Sequence, residues 1–416
     1  MRTIKLGTTE LTLVDQMIVS GASLVTGIII ARTLGVDALG TFTLGMLGVL
    51  LAQNTHHALL TAPIMSLLPA LNADERQRVR RQLPTINLLV SALCSVGIAA
   101  ALMATHWISP EWGFLGTAWA WAVAVFAILS HDFLRRLAFA ESRAGHTVLI
   151  DCIRFSLQIF ILLYLAVTER LTLDATIAVV ALSAAVGSLA FVTDLIPGRV
   201  VDGSFRKTLR EYWIFGRWLL ASSLVQWSTS NLFMVIGGAM IGAGAVGALR
   251  AAAQFAQPIH VVMIALENRI PVKASEVLKE SGFQAMRAYL TGVWKRFSIG
   301  IGGAGLLACI FAEPLMVLVY GEEFRTFSGL IYFFVGSALF RFVSTPIIAG
   351  LRALERTAVI FRAHISALIF TAVSCVPLLH YGGLNGAGFG MMALVAVLAI
   401  HLSIAYQRLE SIDHRS

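Results

Sequence analysis

IIIARTLGVDALGTFTL, residues 28–44, decides the fold. Two apolar runs meet at a short segment that carries Arg32, Asp37, Gly35 and Gly40. The chain is apolar from about residue 11 on one side and to about residue 65 on the other. Each side has room for the roughly 20 residues that cross a bilayer as a helix. The stretch therefore reads as a tight turn between two membrane-spanning helices. It also recurs: GVDALG at 35–40 is echoed by GAGAVG at 242–247, an offset of 207 in a chain of 416 residues. In the same frame, the Pro63 region falls next to Pro271. The sequence therefore reads as two halves.

The composition extends this reading to the whole chain. Hydrophobic residues make up 57% and charged ones 13%, about half the charge of a soluble domain. No polar stretch is long enough for a water-soluble domain. Asp15 and Gln16 interrupt the first apolar run, so it reads as a retained span rather than a signal peptide. Cys94, Cys152, Cys309 and Cys375 all fall in apolar segments and read as small buried hydrophobes.

Twelve spans are expected, at 11–31, 41–65, 84–105, 113–134, 147–167, 173–193, 215–237, 246–268, 293–312, 326–350, 357–379 and 385–406. With this division, 25 of the 31 Lys and Arg residues lie on one set of loops and termini. Arg32, Arg170 and Arg325 lie on the other set, and Arg154, Arg250 and Arg341 lie within spans. The positive-inside rule then places both termini in the cytoplasm. It also accounts for the net charge of +8 as orientation rather than as a sign of an acidic partner.

The expected fold is thus all-α and polytopic: two parallel six-helix lobes, 1–200 and 214–416, around a central cavity. A cytoplasmic linker, 201–213, joins them. In it Phe205, Leu209 and Trp213 recur at helical spacing beside Arg206, Lys207 and Arg210. That pattern fits either an amphipathic helix on the inner leaflet or an ordinary basic loop.

Polar residues within spans gather in the first pair of helices of each half. Span 1 has Gln16, Ser20 and Ser23. Span 2 has the run Gln53, Asn54, Thr55, His56 and His57. Span 7 has Ser222, Ser223, Gln226 and Ser230, and span 8 has Arg250, Gln254, Gln257 and His260. The steps of 4, 3 and 3 in span 8 keep its set within about 120° of helix surface. Such residues face a bundle interior or a water-filled cavity, or else join helices by hydrogen bonds. Arg250, Arg341, Gln53, Asn54, Gln226, Gln254, Gln257 and His260 are the candidate substrate-binding residues. His56, His57 and Asp15 are candidates for proton or sodium coupling; the two histidines fit interhelical hydrogen bonding equally.

The acids are expected near span ends: Asp15, Asp132, Asp151 and Glu267. A cavity with arginine and histidine but no deep carboxylate suits an anionic head group better than a cationic drug. No phosphate-binding loop, zinc-ligand spacing or nucleophile–base arrangement is present, so no enzyme, cofactor, metal or nucleic-acid reading is supported.

Arg32, Leu34, Gly35 and Gly40, in their setting between the first two spans, resemble the start of bacterial Wzx-like polysaccharide flippases. These belong to the multidrug/oligosaccharidyl-lipid/polysaccharide (MOP) exporter superfamily. Twelve spans in two halves, with basic inner loops, extend the resemblance over the whole chain. It implies a flippase in the bacterial inner membrane that moves a polyprenyl-pyrophosphate-linked oligosaccharide by alternating access. Arg250 would hold the anion with help from Arg341, and the amides would meet sugar hydroxyls. A polysaccharide polymerase and glycosyltransferases would be its partners. Two alternatives remain open: a multidrug-type antiporter of the same superfamily, and a non-transporting scaffold for polysaccharide assembly.

Overall fold

The computed structural model describes residues 8–196 and 202–413. Arg2, Lys5, Arg199 and Arg415, four of the charges that orient the chain, lie outside the described residues, as does Val201 of the expected linker.

The first helix, α1, runs Thr8–His56, 49 residues. Drawn straight, it would be about 74 Å long, more than twice the roughly 30 Å hydrocarbon layer. It is broken at Gly35, where φ is 85° and ψ is −178°. That conformation is essentially reserved for glycine, because a Cβ would clash with the backbone. A π-helical turn, His57–Thr61, and α2 (Ala62–Leu67) continue the second crossing. Next come α3 (Ala73–Ala104), α4 (Phe114–Ala140), α5 (Ala144–Val167) and α6 (Leu173–Leu189).

The pattern then restarts. Helix α7 (Asp202–Ile241) meets α8 (Ala243–Gln254) at Gly242, with φ 115° and ψ 166°. The two glycines that match in the sequence repeat thus hold the same backbone conformation at the same topological position. There follow α9 (Gln257–Ile310), α10 (Ala312–Tyr320), α11 (Leu330–Ala353) and α12 (Thr357–Asp413). Helices α9 and α12 are themselves broken, at Gly282 and Gly383.

Eight stretches of helix are long and apolar enough to cross a membrane. Two of them, Val14–Ala70 and Thr357–Arg408, have 57 and 52 residues, enough for two crossings each. The Leu173–Leu189 helix is apolar but shorter, and α8 with the start of α9 occupies the place of the expected eighth span. The protein is a multi-pass membrane protein, and among the described residues no strand occurs.

By contacts the chain divides into two units, one ending at Trp227 and one beginning at Ser228. In unit 1, α4 packs against α3 and α6, and α5 packs against α1 and α6. In unit 2, α11 packs against both α9 and α12. The division falls inside α7, and the packing shows why. The Gln82 side chain on α3 donates to Ser204 at 2.9 Å and accepts from Thr208 at 2.8 Å. Tyr212 enters the apolar core with Leu60, Ile64 and Leu83. At Gly216 the helices nearly touch: a Cβ there would stand 2.4 Å from the Ala58 carbonyl oxygen. Finally, Trp227 Nε1 donates to the Leu47 carbonyl at 3.2 Å.

The described part of the expected linker is therefore helix, continuous with the seventh crossing. Thr208, Tyr212 and Gly216 form its packed face, while Leu209 and Trp213 of the apolar stripe stay 37% and 54% exposed.

Candidate functional site

Two polar interiors stand out, one in each unit. In unit 1, α1, α4 and α5 bring charges together. Arg135 donates to Asp15 at 2.5 Å and to Asp132 at 3.2 Å. Its Nε stands 2.8 Å from Asp151, in ion-pair contact but outside hydrogen-bonding alignment. The other Asp151 oxygen meets His131 Nε2 at 2.8 Å. Arg136 lies 3.6 Å from Asp132. Arg154 lies across the Phe155 ring, 4.7 Å from its centre. Gly187 of α6 closes over the group: a Cβ there would fall 3.0 Å from the Arg154 side chain and 3.2 Å from His131. Three carboxylates balance three guanidinium groups, as a buried cluster of ions requires.

This corrects the reading of Arg135 and Arg136 as loop charges. Helix α4 runs on to Ala140, past the expected span end at 134. Paired with three acids, an arginine no longer needs bulk water, so the helix continues. Asp132 lies about 12 Å inside the end of α4 and Asp151 about 10 Å inside the start of α5, at 1.5 Å per residue. Asp15, placed as a helix-end residue, is 3% exposed.

The QNTHH run divides by face. Gln53 and Asn54 are half-buried, and among the described residues their side chains have no partner. His56 is fully buried and donates from Nε2 to Asn87 Oδ1 on α3, at 3.0 Å. Ser91 donates to the same oxygen at 3.3 Å. His57 Nδ1 meets Thr61 at 2.8 Å, across the π turn. His56 thus has the interhelical partner that the second reading called for, whereas the partner of His57 lies on its own helix. Gln226, on α7, is exposed.

A second ionic group sits at the same end of unit 1. Arg80 at the start of α3 pairs with Glu141 and with Asp194, the latter at 2.8 Å. Arg143 pairs with the same two acids. The ring ties the start of α3, the α4–α5 turn and the segment after α6 to one side. That is the side on which charge counting placed them together.

Unit 2 is arranged differently. The expected stripe Arg250, Gln254, Gln257 and His260 does not lie on one continuous helix. Pro258 has no N–H for the Gln254 carbonyl, and the helix breaks at Phe255–Ala256. Gln254 is 9% exposed, while Gln257 is exposed. Arg250 on α8 interacts with the Tyr320 phenol at the end of α10. Tyr320 in turn packs edge-on to Phe255, with ring centres 6.0 Å apart.

Arg341 has other neighbours. It is exposed on α11 and acts electrostatically on His260 of α9 and His364 of α12. The two arginines therefore mark different places. Of the expected residues, Arg341 and His260 are within electrostatic reach of each other. His364 joins them from α12; the sequence offered only a lone histidine in span 11.

No protein-family model and no curated protein sequence matches the chain. Solved structures do. A lipid II flippase, MurJ, in an inward closed conformation aligns with a TM-score of 0.73 at 11% identity, over 95% of this chain and 87% of that one. An inward-facing multidrug resistance MATE family transporter of the MOP superfamily aligns with a TM-score of 0.75 at 16% identity, over 96% of both chains. A MOP superfamily transporter from Pyrococcus furiosus, whose binding pocket is described as being of reverse polarity, gives 0.61 at 15% identity, over 96% and 94%. At these identities the likeness shows the fold: the chain has the architecture shared by MATE transporters and the lipid II flippase.

Proposed function

We propose that the protein is a flippase that carries a polyprenyl-pyrophosphate-linked oligosaccharide across the bacterial inner membrane, with both termini in the cytoplasm. The observation that supports this reading is that the charge of Arg341 on α11 reaches His260 of α9 and His364 of α12. An excess of basic groups attracts an anion such as pyrophosphate, and arginine binds phosphate oxygens in bidentate fashion. Arg250 beside Tyr320, at a different place in the unit, offers a separate anion contact. Gln53, Asn54, Gln226, Gln254 and Gln257 would meet sugar hydroxyls. The two six-helix halves of the repeat would rock to expose the substrate to each side in turn. Asp15, held by Arg135, is the coupling carboxylate for a proton or a sodium ion in this scheme. His56 serves mainly to hold α1 to α3, and His57 bonds within its own helix. A polymerase and glycosyltransferases would supply and consume the carried unit.

The test uses the purified full chain in proteoliposomes with a fluorescent polyprenyl-pyrophosphate oligosaccharide. A charge-assisted contact contributes about 1.5–3 kcal/mol, so Arg250→Ala or Arg341→Gln should slow transfer roughly 10- to 150-fold. Transfer at the normal rate by both variants would refute the anion site. The likeness to a MATE transporter favours a second reading, a small-molecule antiporter. It requires uptake of a cationic dye against a proton or sodium gradient and no transfer of the lipid-linked sugar.

A further inference from the structure

Unit 2 holds a cavity that transport, as proposed, does not use. It lies where α9, α11 and α12 converge, and it measures about 290 Å³, near the lower end of ligand cavities. Next to it, at Gly350 of α11, a Cβ would stand 2.9 Å from Leu290 of α9 and 3.1 Å from Tyr406 of α12, two residues that line the cavity. The missing side chain lets the three helices approach closely there.

The lining changes character with depth. Arg287 on α9 and Gln407 on α12 stand at one end. One turn further in are Thr291 and Tyr406. Beyond them the wall is Trp294, Val343 and Ile347, with Ser403 as the remaining polar group. From Arg287 to Trp294 is seven residues, about 10 Å along the helix axis. Among the described residues, no carboxylate lines the cavity. Trp294 is 41% exposed, a placement typical of aromatic side chains at a membrane–water interface.

We propose that this cavity binds an anionic phospholipid of the surrounding bilayer. The phosphate meets Arg287 and Gln407, the glycerol backbone meets Thr291 and Tyr406, and an acyl chain lies along Trp294, Val343 and Ile347. A phospholipid passes from charge to hydrocarbon over a similar depth. A free phosphate would have no use for the apolar inner wall. Basic pockets between helices at the cytoplasmic ends of spans suit anionic head groups, and charge counting places Arg287 on that side. The site is separate from Arg250 and from the Arg341 cluster.

The full chain is reconstituted in phosphatidylcholine vesicles with increasing mole fractions of a brominated phosphatidylglycerol, which quenches nearby tryptophan fluorescence. A saturable component is expected that disappears in Trp294→Phe, that brominated phosphatidylcholine does not reproduce, and that inorganic phosphate does not displace. One surface charge contributes about 1 kcal/mol to anionic lipid binding, or about fivefold. Arg287→Gln should therefore shift half-saturation at least that far. Ser403→Phe, which fills the cavity without changing charge, should abolish the component; if either variant fails to fold, the other decides. Equal quenching by brominated phosphatidylcholine, or unchanged binding in the folded variants, would overturn the proposal. Displacement by inorganic phosphate would do so too, and would mark a small-anion site.

Discussion

In unit 1, Arg135 is shared among Asp15, Asp132 and Asp151, and every one of those acids is buried. In unit 2, Arg341 is exposed and faces His260 and His364. In the first arrangement the acids already share a cation, Arg135, so a coupling ion at Asp15 has to compete with the guanidinium. The second has an excess of one sign and access from outside the protein. A substitution of Arg135 should therefore act on stability, and one of Arg341 on transport.

Arg135→Met gives the largest expected effect. It leaves three buried carboxylates short of their counter-ion, which costs about 3–5 kcal/mol. Denaturant unfolding of the purified protein measures it, and an unchanged midpoint would mean that the unit 1 cluster is not a structural element. Next come Gly35→Ala and Gly242→Ala, one glycine from each half of the repeat. Each forces a Cβ into a conformation that costs about 1–3 kcal/mol, and similar losses in the two would show that the turns are equivalent. A clear inequality would break the parallel between the halves. Asn87→Leu strands the buried His56 Nε2 donor and should cost about 1–3 kcal/mol by the same assay. A neutral result would return His56 to the list of groups free to carry protons. Arg341→Gln stands at the other end. An exposed substitution of this kind changes stability by no more than about 0.5 kcal/mol, while transfer of the lipid-linked sugar should fall sharply. If Arg341→Gln instead lowers the unfolding midpoint as Arg135→Met does, the contrast between the units fails.

The membrane crossings and the paired glycine turns were legible because both follow from local pattern. Hydropathy marks a span over about 20 residues, and a glycine beside a helix end marks a break. The arginine network was not legible. Arg135 and Asp15 are 120 residues apart, and a charge near a span end looks the same in sequence whether it faces water or a carboxylate. The polar stripe of span 8 is not continuous for another reason. Pro258 stood within the proposed stripe, and periodicity was counted through it, although a proline there breaks the helix that the count assumes. Of the linker's two readings the structure has the helix, with Leu209 and Trp213 exposed. Its packed face, Thr208, Tyr212 and Gly216, was not legible, because the partners are Gln82 and the Ala58 backbone. His364 carried no local signal; only the packing of α12 on α11 brings it toward Arg341.

The network in unit 1 also bears on how the chain is made. Asp15 leaves the ribosome 120 residues ahead of Arg135. At roughly 5–20 residues per second, that is a wait of about 6–24 s. During this time the first helix carries a carboxyl group near the end of its crossing, where the cost is below the roughly 2.5–3.5 kcal/mol of a helix centre. Its buried partner arrives only with α4. The cluster therefore closes only after four crossings have been made, and the first helix reaches its final surroundings late.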